Sequence, residues 1–278
     1  MTIGLPGDEI VDVWMQQPNQ RFLDAPWWES LRRWSGEPSA VPPLGSTVHE
    51  MDKAGVGVGL LSAWHAPGGV LISNDEVAEV VRQHPDRFAG VAAVDLNDPV
   101  GAVREIRRCV RDLGFVGVRV VPWVWNLPPN DRRYYPVYVA CVEEDVPFCT
   151  QIGHTGPLCP SEPGRPIPYL DEVLLDFPDL VVLGGHVGYP WMAEVLSLAT
   201  KYPNFYVDTS AYALHRLPAE LVEFLRGRGR GRVLFGTNYP MITASKALRR
   251  LDELGLDDEA RELFLGGNAR KLFALPTS

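Results

Sequence analysis

Basic charge is scarce in this chain. Of 278 residues, 26 are lysine or arginine against 35 aspartate or glutamate, a formal net charge of −9. A nucleic-acid groove or an anionic membrane face needs a basic surface, so neither partner is expected. Cysteine is sparse as well: Cys109, Cys141, Cys149 and Cys159 form no C-x-x-C pair and read as reduced thiols of a cytoplasmic protein. No run approaches the roughly 18 uninterrupted apolar residues of a membrane-spanning helix. The opening MTIGLPGDEIVD has neither the basic nor the apolar region of a secretion signal, which fits a cytoplasmic location. Glycine and proline, by contrast, are plentiful at 26 and 25. That is too many for a helical bundle and suits a chain with many strand-to-helix turns.

Eight short apolar runs recur: 9–15, 56–64, 88–96, 115–122, 146–154, 180–188, 205–210 and 232–238. They are mostly continuous rather than alternating, as strands are when a parallel sheet is covered on both faces. Helical patterns separate them. The stretch 74–88 opens on Asn74 as cap, carries Glu76 in its first turn and stops near Pro85; 98–114 opens on Asp98 and Pro99 and ends in Gly114. LGGN at 265–268 reads as the end of a helix. Eight strands alternating with helices, with no break in composition, predict an α/β fold: a single (β/α)8 TIM barrel spanning 1–278. The alternative is an open doubly wound sheet, but no G-x-G-x-x-G turn follows the first run. The insertion at 16–47 is long and aromatic, with Trp27, Trp28 and Trp34, and is expected to serve as a lid over the pocket or as a dimer interface.

Reactive groups of a barrel sit where its strands end. The run ends supply Trp14, Gln16, Trp64, His65, Asp95, Arg119, Trp123, Gln151, His154, His186, Asp208, Ser210 and Asn238. His49, His84 and His215 fall elsewhere and have no special claim.

The segments IVDVWMQ, FCTQIGHTG, VVLGGHVGYPW, NFYVDTSAY, RVLFGTNYP and LFLGGNARKLFAL resemble, in order and spacing, the amidohydrolase-related barrels. That group includes aminocarboxymuconate-semialdehyde decarboxylase, the hydroxybenzoate decarboxylases and a pyrone-dicarboxylate lactonase. The resemblance implies a metal site built on D-x-H-x-H in the first strand and on the aspartate of F-G-S-D-Y-P at the eighth. Here the first motif reads Asp12-Val13-Trp14-Met15-Gln16 and the second Phe235-Gly236-Thr237-Asn238-Tyr239-Pro240. Of the implied metal-binding and catalytic histidines, His154 and His186 remain. Tryptophan offers no lone pair, and glutamine and asparagine are weak neutral ligands, whereas zinc takes three or four Cys, His or carboxylate ligands. No cofactor is therefore expected; zinc or manganese at His154 and His186 is the lesser alternative.

The remaining chemistry is acid–base. His154, His186 and Asp208 are the catalytic candidates. Trp14, Gln16, His65, Arg119, Trp123 and Asn238 are the substrate-binding candidates, with Arg119 as a clamp for a carboxylate. Plainer roles stand beside these: a hydrogen-bonded core place for either histidine, an Arg119–Asp95 pair, Asp208 capping Ser210, Asn238 holding its own turn. The expected function is metal-independent hydrolysis, or a lyase or isomerase step, on a small cyclic or aromatic carboxylate by a homodimer. A metal-dependent hydrolase or decarboxylase with an unusual ligand set, and a non-catalytic ligand-binding barrel, are the competing readings.

Overall fold

The computed structural model describes residues 10–36 and 40–276; positions 37–39 of the expected insertion lie outside them. The described residues form ten strands: β1 (Ile10–Met15), β2 (Val56–Ser62), β3 (Trp64–Ala66), β4 (Gly69–Ile72), β5 (Phe88–Ala92), β6 (Gly117–Arg119), β7 (Phe148–Gln151), β8 (Val182–Gly185), β9 (Phe205–Asp208) and β10 (Val233–Leu234). Eight of them, all but β3 and β4, form one parallel sheet in the order β1-β2-β5-β6-β7-β8-β9-β10. The sheet closes on itself where the Val13 amide donates to Phe235 O at 3.1 Å and the Asn238 amide to Trp14 O at 2.7 Å. The eight expected runs are these eight strands, and the molecule is a TIM barrel.

Both faces of the strands are apolar because both are covered. Val11, Val13, Leu60, Val91, Cys149, Leu183 and Leu234 fill the barrel interior. Val118, Val182, Val207 and Phe205 face outward onto helices, with Ile106, Val173 and Val195 against them. Each such aliphatic side chain contributes about 1.5–3 kcal/mol on burial. No helix among the described residues is long and apolar enough to cross a membrane.

Helix starts follow local chemistry, with one shift. The helix Asn74–Gln83 is capped by Ser73, whose hydroxyl accepts from the Glu76 amide while Glu76 returns a bond to the Ser73 amide. Asn74, expected as the cap, instead holds the Ala93 backbone with both ends of its amide. Asp98 and Pro99 do open the helix Pro99–Arg111. LGGN does not end a helix: a π-turn over Leu263–Gly267 runs into Asn268–Leu272, and the Asn268 amide donates to Val233 O under β10. Strands β3 and β4 form an antiparallel hairpin beyond β2, although the run 56–64 reads as one strand. The insertion contains the short helices Gln20–Leu23 and Trp28–Ser35, and the helix that follows starts inside it, at Leu44.

Candidate active site

A register shift between Asp12 and Met15 turns the end of β1, and Trp14 lies across the barrel mouth. A Cβ on Gly185 would come within 2.3 Å of the Trp14 ring, so the bare backbone of β8 is what admits the indole. Arg119, 2% exposed at the end of β6, stacks its guanidinium 3.8 Å from the centre of the Trp14 ring. It donates to Val13 O at 3.1 Å and Met15 O at 3.4 Å. Burial lowers its pKa to about 10, which still leaves a full positive charge at neutral pH. The expected Asp95 partner is absent: Asp95 accepts from the Asn97 amide. Nor is Arg119 an open clamp, since it is buried and two of its nitrogens already serve carbonyls; it is a fixed internal cation. Its Nε has no partner among the described residues.

His186 follows β8 with φ of 71°, and Val187 has φ of 66°. Two consecutive non-glycine residues in the left-handed region, one of them β-branched, cost about 1–3 kcal/mol each and need support. Asp208 at the end of β9 supplies it. Its Oδ1 accepts from the His186 amide at 3.3 Å and its backbone carbonyl from the Val187 amide at 3.1 Å. The same Oδ1 accepts from the Ser210 amide at 2.8 Å and from the Ser210 hydroxyl. Ser210 Oγ lies 2.6 Å from His186 Nδ1. Asp208 thus caps Ser210 and reaches the histidine as well. The His186 ring centre is 5.1 Å from that of Trp14. Burial, then the charge of Arg119 and the nearby His154, push its pKa down to about 3, so the imidazole is neutral. Burial raises Asp208 to about 6 despite the Ser210 bonds.

His154 is half-buried, with its ring edge-on to Tyr189 and its amide donating to Tyr189 O at 2.7 Å. Gln151 donates to His154 O at 3.2 Å and accepts from Trp123 Nε1 at 2.6 Å. Gln16 and Asn238 meet across the closing seam: Gln16 Nε2 donates to Tyr239 O and, at 3.2 Å, to Asn238 Oδ1. Asn238 therefore does more than hold its own turn. Asp12 completes the seam, accepting from the Thr237 amide at 2.9 Å and hydroxyl at 2.5 Å. The cap of Asp208 on Ser210, two residues ahead, is one of the plainer roles the sequence suggests; the role of Asp12 and the link from Ser210 to His186 Nδ1 leave no mark in it.

Trp27, from the insertion, stacks on Trp64 at 5.8 Å and meets Trp123 edge-on at 5.0 Å, with Phe22 and Trp28 beside them. His65 leaves this group. It sits on the β3–β4 hairpin, stacked 5.9 Å from Trp125, and lines a cleft of about 320 Å³ with Asp75, Asp95, Asp98 and Glu105. Neither His154 nor His186 borders that cleft. A second void, touching Trp64, His65, Arg119 and Trp125, holds about 10 Å³, room for one water.

The Amidohydrolase family model matches residues 12–275. The γ-resorcylate decarboxylase of a Polaromonas species is 27% identical, over 73% of this chain and 75% of its own. A TIM-barrel protein from Bordetella bronchiseptica superposes with a TM-score of 0.83 at 28% identity, covering 96% of this chain and 98% of that one. A dihydroxybenzoic acid decarboxylase from Polaromonas, solved with bound manganese and the inhibitor 2-nitroresorcinol, superposes at 0.72 with 22% identity, covering 96% and 97%. The manganese in that structure corrects the expectation of no cofactor: a barrel of this fold holds a metal ion there.

Proposed function

Because the chain belongs to the amidohydrolase family, as an enzyme of the hydrolase or carbon–carbon lyase kind, we propose that it is a decarboxylase-type lyase acting on a small aromatic carboxylate. The observation that carries this reading is the neutral His186 beside His154, with the Arg119 charge close by and tryptophan rings over the mouth. In this reading, His186 takes the proton of a ring hydroxyl ortho to the carboxylate, which raises electron density at the carbon bearing it. His154 delivers a proton to that carbon. The C–C bond to the carboxylate then breaks, its electron pair restores the aromatic ring, carbon dioxide leaves, and His186 returns its proton to the ring oxygen. Each proton transfer is worth about 10²–10⁴ in rate. Arg119 acts by charge alone, favouring the anion that develops on the ring. Trp27, Trp64 and Trp123 supply aromatic faces. The insertion carrying Trp27 lies over Trp64 and Trp123 at this mouth and acts as the lid through which substrate enters.

The family implies a metal, and the donors here do not match it. Trp14 has no lone pair to give, Gln16 and Asn238 are bonded to each other, and Arg119 places a positive charge at the same mouth. No three His, Cys, Asp or Glu side chains gather to hold an ion among the described residues. No step above runs through a metal.

The test is carbon dioxide release from 2,6-dihydroxybenzoate and related hydroxybenzoates, with and without added manganese. Turnover is expected, and His186→Gln and His154→Gln each lower kcat at least about 100-fold. Absence of turnover across the series under both conditions, or unimpaired histidine variants, sinks the proposal.

A further inference from the structure

We infer that Ser210 is a positioning residue that sets the tautomer of His186, keeping the ring proton on Nδ1 and leaving Nε2 as the lone-pair atom. The inference builds on the reading of His186 as proton acceptor.

The argument is a count of donors and acceptors. A serine hydroxyl has one proton to give and two lone pairs to fill. Ser210 gives its proton to Asp208 Oδ1. One lone pair takes the His186 amide at 3.2 Å. The other faces His186 Nδ1 at 2.6 Å. With the hydroxyl proton committed to a carboxylate that can only accept, Nδ1 must be the donor. Nδ1 therefore carries a ring proton, and in the neutral imidazole Nε2 carries none. In the mechanism above, an acceptor at Nε2 is what removing a substrate proton requires.

The arrangement is also rigid. Asp208 Oδ1 gathers the Ser210 hydroxyl, the Ser210 amide and the His186 amide, and the left-handed turn at His186 fixes where the ring leaves the backbone. A carboxylate often orients a histidine directly; here a hydroxyl stands between the two.

The test reads the tautomer without any substrate. In protein labelled with ¹⁵N-histidine, two-bond proton–nitrogen correlations separate the two neutral forms, and His186→Gln assigns the signal. The unmodified protein is expected to show the Nδ1-protonated pattern, and Ser210→Thr to keep it. Ser210→Ala is expected to shift the population towards Nε2–H. Ser210→Gly is a second route should Ser210→Ala fail to fold: it too removes the acceptor facing Nδ1 and is expected to move the ring proton towards Nε2. On a substrate that is turned over, Ser210→Ala lowers kcat about 10- to 100-fold with KM little changed, and Ser210→Thr restores it. An Nε2–H pattern in the unmodified protein overturns the inference. So does an unchanged Nδ1–H pattern in a folded Ser210→Ala or Ser210→Gly variant. If no hydroxybenzoate is consumed, the decarboxylase reading falls while the tautomer result still decides this one.

Discussion

A side chain at position 185 and the indole of Trp14 compete for one space. Gly185→Ala puts a Cβ 2.3 Å from a ring carbon of Trp14, and the indole is hemmed in by Arg119 and His186 on other strands. The ring cannot give way cheaply, so the substitution is expected to destabilise the fold by about 1–3 kcal/mol, read from urea midpoints. Trp14→Leu in the same background is expected to recover part of the loss. If the two changes simply add, the contact is not the cause. His154, His186, Asp208, Trp14, Gln16 and Asn238 were legible as barrel-mouth residues because strand ends announce themselves in an apolar pattern. Arg119 was legible by position but not by role. Its cationic head turns beneath the mouth to meet the Val13 and Met15 carbonyls, and a linear pattern does not record which way a long side chain bends.

Under the proposed reaction, the insertion is the element that moves to admit substrate. Trp27 rests by its ring on Trp64, Trp123, Trp28 and Phe22, and polar tethers hold the segment as well: Asn19 and Arg21 to Glu76, Gln17 to Thr47 and the Pro42 carbonyl, and the Leu158 amide to Ser30. Trp27→Ala is expected to expose the remaining tryptophans, seen as stronger quenching of their fluorescence by acrylamide, with the unfolding midpoint lowered modestly. Unchanged quenching would mean the mouth is closed by something other than Trp27. The eight barrel strands could be read from sequence because each is a continuous apolar run between helix signals. The β3–β4 hairpin could not be read that way, since β2 runs into Trp64 without a polar break. Its turn was visible all the same, in the consecutive Pro67-Gly68-Gly69. The hairpin carries His65 away from the histidines of the mouth, to the acidic cleft.

At the scale of the whole molecule, the seam between β1 and β10 couples folding to protons. Burial raises Asp12 from 3.8 to about 7, even though Thr237 and the Trp14 amide bond to it. The folded protein therefore keeps this proton at a pH where the unfolded chain has lost it. The stabilising contribution is complete below about pH 4 and is lost as pH rises towards 7, so from this group stability falls across that window. Asp208, raised to about 6, acts in the same direction over a narrower range. Asp12→Asn is expected to flatten the slope of unfolding free energy between pH 4.5 and 7, measured by denaturant titration. A slope equal to that of the unmodified protein would assign the effect elsewhere. The seam also orders events on the ribosome. Asp12 and Thr237 are 225 positions apart, so at about 5–20 residues per second the first strand waits about 10 to 45 s for its neighbour to be made. Through that interval the aspartate is bathed in water as an ordinary carboxylate. The cylinder can close only after β10 has been made, and below about pH 7 closure draws a proton from the surrounding buffer.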